Sequence, residues 1–213
     1  MNKKSLFRLL ALAALLCAPG VQAQDVIKVN YQGAQPTISD LVTAFVSSSK
    51  DSEEEEECCA NEALNVLAYV WERHLNNLPL EENESLTVDE KNGYVGYKVI
   101  EEYDGTENVV KIELCYWNEM DGKHKLFAYN VACFTDGVYN PGQFDDLLFY
   151  RYDNATRTMD ICYDRGIDEV CEEHPVMHSF DLPRTGKNIT VTFWYENGKV
   201  EKTLKWNGRR FTL

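Results

Sequence analysis

Six dipeptides constrain most of what this chain can fold into. Asn92-Gly93, Asp104-Gly105, Asp121-Gly122, Asp136-Gly137, Asn197-Gly198 and Asn207-Gly208 each sit between runs rich in β-branched and aromatic residues. A two-residue hairpin turn needs positive φ at its centre, which Gly, Asn and Asp tolerate best. Such a dipeptide between alternating apolar residues is therefore the strongest short-range hairpin signal. Spread over the region after Glu84, these turns predict roughly nine or ten strands, mostly joined in sequence as an antiparallel meander.

One hairpin can be read in register. With Asp121-Gly122 at the turn, Ile112 faces Val131, Leu114 faces Tyr129 and Tyr116 faces Phe127. Every pair is apolar, and a one-residue slip would turn all of them to the other side. The second face carries Cys115 and Trp117 against Leu126 and Ala128. Cys133 falls on the first face and Cys115 on the second, so the two should not bridge each other.

The region before the meander follows a different period. Ile38, Leu41, Val42, Phe45 and Val46 fall at i, i+3, i+4, i+7 and i+8, with Thr37 and Asp40 placed to cap, which predicts a helix over 37–48. Ala60, Ala63, Leu64, Leu67, Trp71, Leu75 and Leu78 predict a second over 60–76, stopped before Pro79. Between them, residues 47–57 hold Glu53 to Glu57 and read as an acidic linker; contiguous carboxylates repel unless a chain folds around a cation such as Ca²⁺. The fold class expected is α+β. Two N-terminal helices should pack on a mostly antiparallel β-meander, a curved sheet or partial barrel, in one domain over 24–213.

Residues 1–23 read as a cleaved secretory signal. Lys3, Lys4 and Arg8 precede an apolar run, and Val21-Gln22-Ala23 offers small residues at −3 and −1. The run is about half the roughly 20 apolar residues that a transmembrane helix needs. The expected location is therefore periplasmic or secreted, without membrane insertion. Cleavage would remove three of the 21 basic residues and none of the 35 acidic ones, leaving 18 against 35, a net −17. Such a charge repels phosphate backbones and disfavours nucleic acid.

Export makes cysteine pairing the next question. "CYDRGIDEVCEEHPVMH", residues 162–178, spaces two cysteines and two histidines as C-x8-C-x2-H-x3-H. Zinc needs thiolates, and exported thiols oxidise. Pro175 also keeps His174 and His178 off one regular helix. A turn around Arg165–Asp168 would place Cys162 opposite Cys171, so a disulfide between them is expected and no metal. Cys58 and Cys59 are left as candidates for Cys115 and Cys133.

"IKVNYQGAQPTISD", "CYWNEMDGKHKLFAYNVACF" and "YNPGQFDDLLFYRYDNATRTM" resemble segments of uncharacterised exported proteins from Gram-negative gut bacteria. The resemblance covers most of the chain after residue 23. It implies export and carries no activity or site residue.

The chain has no G-x-S-x-G, H-E-x-x-H, phosphate loop or G-x-G-x-x-G. Its adjacent carboxylates, such as Glu101-Glu102, point to opposite faces of a strand and do not make an acid/base couple. No catalytic residue and no cofactor is therefore expected. The function expected is non-catalytic binding or envelope accessory work toward a small molecule, glycan or protein; the alternative is a small exported hydrolase. Aromatic side chains on strands are the binding candidates: Trp117 first, with Tyr116 and Trp194. The face carrying Trp117 is too apolar for solvent, so the second helix or a ligand should cover it.

Overall fold

A computed structural model of the protein describes residues 26–50, 62–142, 147–163, 165–174 and 176–213. The expected signal segment, most of the acidic linker, Cys58 and Cys59 lie outside these residues.

The front of the chain is helical where its apolar period said it would be. A short strand β1 (Ile27–Lys28) precedes helices α1 (Ile38–Lys50) and α2 (Glu62–Leu75). Residues 49 and 50, expected in the linker, extend α1 past the predicted end at 48. Thr37 starts that helix: its Oγ1 accepts the Asp40 amide at 3.2 Å, while Asp40 Oδ2 accepts the Thr37 amide at 2.8 Å. This reciprocal pair satisfies two amides that would otherwise lack partners. Ile38, Leu41, Val42, Phe45 and Val46 are all buried, as are Ala63, Leu67 and Trp71 of α2. Leu75 and Leu78, expected on the same stripe, are instead exposed at the end of α2 and beyond it.

The remainder forms two sheets. In chain order the strands are β2 (Glu84–Asp89), β3 (Tyr94–Tyr103), β4 (Thr106–Asn118), β5 (His124–Thr135), β6 (Val138–Tyr139), β7 (Leu147–Asp153) and β8 (Thr158–Ile161). After helix α3 (Asp168–Glu172) come β9 (Met177–Asp181), β10 (Ile189–Tyr195), β11 (Gly198–Trp206) and β12 (Phe211–Thr212). The large sheet runs β1-β8-β7-β5-β4-β3-β2, with β6 on β5, and curls as a half-barrel. The small sheet runs β12-β11-β10-β9. Every described strand pairing is antiparallel, and the β4–β5 register pairs Ile112 with Val131, Leu114 with Tyr129 and Tyr116 with Phe127, as read from the turn.

The alternation of β3, β4 and β5 sends apolar side chains to both faces, and each face has its own cover. Val95, Tyr97, Ile112, Leu114, Phe127, Tyr129 and Val131 pack beneath α1 and α2. Tyr94, Cys115, Trp117, Leu126, Ala128 and Phe149 pack against Ile189, Val191, Phe193, Leu204 and Phe211 of the small sheet. The molecule is thus layered helices, large sheet, small sheet. The expected α+β fold, two N-terminal helices on a curved antiparallel sheet, is present; what is corrected is the cover of the Trp117 face, which is neither α2, on the opposite face, nor a ligand, but a second, smaller sheet. A strand buried on both sides needs a second covering layer, and β9–β12 supply it.

The second correction concerns residues 162–171. They do not form a hairpin. The Phe211 amide donates to the Arg165 carbonyl at 2.8 Å, tying this segment to β12. Gly166 sits at φ +81, where an added Cβ would lie 2.3 Å from the Phe211 carbonyl oxygen. Chain direction then turns into α3, which buries Val170 and puts Cys171 on a helix rather than opposite Cys162. Neither cysteine forms a disulfide in the structure.

Candidate functional site

The aromatic residues singled out from the sequence do not converge. Trp117 is buried between the sheets; its indole N–H donates to the Lys187 carbonyl at 2.9 Å and its ring meets Phe211 edge-on at 5.2 Å. Tyr116, its neighbour on β4, points to the helix side, where Gly93 lies against the ring and Lys125 sits 4.6 Å above it. Trp194 stacks on Tyr139 at 6.1 Å and donates to Ser179 Oγ at 3.0 Å. Each is held by protein groups, and they stand in three different environments.

Space opens instead at the seam between the sheets. A cleft of about 400 Å³ lies where β5, β6 and the start of β7 face α3 and β9. Tyr139, His178 and Phe180 line it, with Leu147 and Ile167 adding apolar surface. His178 and Phe180 share one face of β9, in edge contact at 5.4 Å. His178 Nδ1 lies 3.1 Å from the Val176 carbonyl, an acceptor only, which places the ring proton on that nitrogen. His174 is directed elsewhere, with Nε2 2.6 Å from Lys202 Nζ and Nδ1 3.3 Å from the Tyr195 hydroxyl.

The polar wall of the cleft has a definite orientation. Asn130 is 1% exposed and donates from Nδ2 to Glu113 Oε2 at 3.3 Å and to the Phe180 carbonyl at 3.0 Å. A flipped amide would set its oxygen against two acceptors, so this orientation follows from the chemistry. Glu113 also accepts the Tyr94 hydroxyl at 2.8 Å, the Leu182 amide at 3.1 Å and the Lys111 ammonium at 3.2 Å. Desolvation and the Glu113 charge hold the Tyr94 phenol well above its usual range. The Lys111 ammonium is held above its ordinary value too: burial acts against it, and the Glu113 and Asp181 carboxylates outweigh the burial.

Two groups of nucleophilic type face the cleft, Ser179 and Cys171. Ser179 is buried, with its oxygen engaged by the Trp194 indole. Burial and, after it, the Asp168 charge push the Cys171 thiol up to about 11. At neutral pH the sulfur is therefore protonated and weakly nucleophilic.

A second polar cluster lies at the β4–β5 turn. Glu119, Asp121 and His124 bring ligand atoms within 4.8 Å of one another, a spacing that suits a metal ion. Guanidinium groups already take up that negative charge: Arg151 forks onto Glu119 with contacts of 3.0, 3.2 and 2.7 Å, and Arg165 lies 3.4 Å from the same carboxylate. Asp121 accepts the Lys123 and His124 amides and the His124 ring, which lower its carboxyl to about 2. This cluster fastens a turn to β7.

No family model, no curated protein and no solved structure matches the chain.

The cleft was not read from the sequence. Two of its residues, Cys171 and His178, belong to the spacing weighed above as zinc site or disulfide. The helical spacing of Ile167, Val170 and Cys171, around the acidic pair Asp168-Glu169, is the signal that this stretch is not a hairpin.

Proposed function

We propose that the protein is a non-catalytic binding protein working outside the cytoplasm, and that the cleft between β5–β7, α3 and β9 receives its ligand. The observation that carries this reading is the cleft itself, about 400 Å³ at the seam of the two sheets, lined by Tyr139, His178 and Phe180 beside the buried Asn130 amide, whose protons are fixed by Glu113 and the Phe180 carbonyl. The aromatic wall beside oriented polar groups has the usual composition of a ligand pocket. Residues 1–23, with the basic start, apolar core and small-residue end of a secretory signal, support the location. No helix among the described residues is long and apolar enough to cross a membrane.

The test is a mixture of small molecules screened by ¹H–¹⁵N NMR, with each compound recovered for mass spectrometry. Shifts confined to α3, β9 and residues 130–131, with compounds recovered unchanged, are expected. Turnover abolished by Cys171→Ser or His178→Ala in a folded protein would overturn the reading.

A further inference from the structure

We infer that the cleft selects an organic cation, an ammonium or guanidinium group carried on an apolar or aromatic body. This inference rests on the binding reading above and names its ligand class.

Three independent features of the wall point the same way. The first is Asn130. Both of its amide protons are committed, one to Glu113 and one to the Phe180 carbonyl. What this almost wholly buried side chain has left to offer the cleft is its carbonyl oxygen, an acceptor that calls for a donor.

The second is charge. Asp168 and Glu172 stand four residues apart, on one face of α3, and both line the cleft. No Lys or Arg lines it. The neighbouring carboxylate that turns away, Glu169, is instead paired with Arg210 at 2.7 Å. Among the described residues Asp168 and Glu172 have no such cation, so the negative field on this side of α3 is left for a ligand. The chain's formal net charge of −14 adds a long-range bias in the same direction.

The third is the aromatic wall. Tyr139, His178 and Phe180 line the cleft together with those acceptors. A cation next to a ring face gains attraction from the ring quadrupole, and its apolar body is removed from water against the same rings. An anionic ligand would meet two like charges and an acceptor oxygen. A neutral one would gain the rings alone.

The cationic group could arrive on a free amine or on a Lys or Arg side chain of a partner. The experiment separates these and uses matched probes: phenethylammonium, 2-phenylethanol and 3-phenylpropionate, with N-acetyl-Gly-Arg-Gly-amide as the peptide arm. Each is titrated into the ¹⁵N-labelled protein, and into Asp168→Asn/Glu172→Gln, whose two exposed substitutions leave the core untouched.

The expected result is saturable shifts in α3 and β9 from phenethylammonium or the peptide, with affinity about tenfold lower in the double variant and lower again at high salt. Preference for the ammonium over the peptide identifies a free amine, and the reverse identifies a protein side chain; either supports the inference. Equal or tighter binding of the alcohol or the carboxylate overturns the cation assignment while the cleft still binds. Cation binding unchanged in the double variant also overturns it. No shift from any probe overturns the assignment together with the binding reading.

Discussion

The carboxylate of Glu113, on β4, accepts the backbone N–H of Leu182 at 3.1 Å, so a buried acid on the large sheet holds the chain just past the end of β9, the edge strand of the small one. Tyr94, Asn130 and Lys111 complete its coordination. Removing such a group leaves several donors without an acceptor at once, each costing about 1–3 kcal/mol, with some relief from water. Glu113→Ala should therefore destabilise the fold by roughly 3–5 kcal/mol, in the range for a broken buried ion pair. Glu113→Gln, which keeps an acceptor, should cost clearly less. Urea denaturation followed by fluorescence checks both, and equal losses would show that the charge and not the acceptor matters.

Trp117 should behave as core. Its ring is 4% exposed and wedged among Phe149, Trp206 and Phe211. Trp117→Ala should cost about 3–5 kcal/mol, the usual range for an aromatic deleted from a packed interior. Thermal unfolding should shift accordingly. A variant as stable as the parent would place this side chain at a working surface.

Two glycines with left-handed backbones should respond differently to alanine. Gly137, at φ +74, has open space where a Cβ would go, so Gly137→Ala bears only the conformational penalty, about 1 kcal/mol. Gly166, at φ +81, would drive a Cβ into the Phe211 carbonyl. Gly166→Ala should therefore cost well over twice as much and loosen β12. Hydrogen exchange at the Phe211 amide, which donates to Arg165, reads that loosening directly.

The β4–β5 turn should confer acid sensitivity. The Asp121 carboxyl is lowered to about 2 by the Lys123 amide, the His124 ring and the His124 amide. A depressed acid binds fewer protons folded than unfolded, so its contribution is intact above the unfolded value near 4 and disappears as pH falls toward 2. Stability should drop across that window, and Asp121→Asn should flatten the drop. An unchanged pH profile in the variant would assign the acid sensitivity to other carboxylates.

How much of this was legible in the sequence depended on the range of the interactions involved. The α1 face, the Thr37–Asp40 cap and the β4–β5 register are set by residues close together in the chain, where period and turn chemistry speak directly. The second sheet was not legible as a separate layer. Alternation tells which side chains share a face and not what covers that face, and the turns at Asn197-Gly198 and Asn207-Gly208 look like those of the large sheet. Residues 165–172 were misread for a related reason. Gly166 is a turn signal from either viewpoint, but the Phe211 contact that redirects the chain comes from far along the sequence. The cleft inherits the same difficulty, since Asn130, Tyr139, Cys171 and His178 meet only after both sheets are placed.

The pairing of β1 with β8 bears on how the protein acquires its shape. Ile27 sits opposite Met159, with both long helices and six strands of chain between them. A ribosome delivers β1 early and its partner late. Through most of synthesis the edge of the large sheet is therefore unmade, and the segment that finishes it waits as loose polypeptide. Closing so long a loop is slow compared with forming the neighbouring hairpins. The large sheet is thus a clasp fastened only once β8 has emerged, with α3 and β9–β12 still to follow.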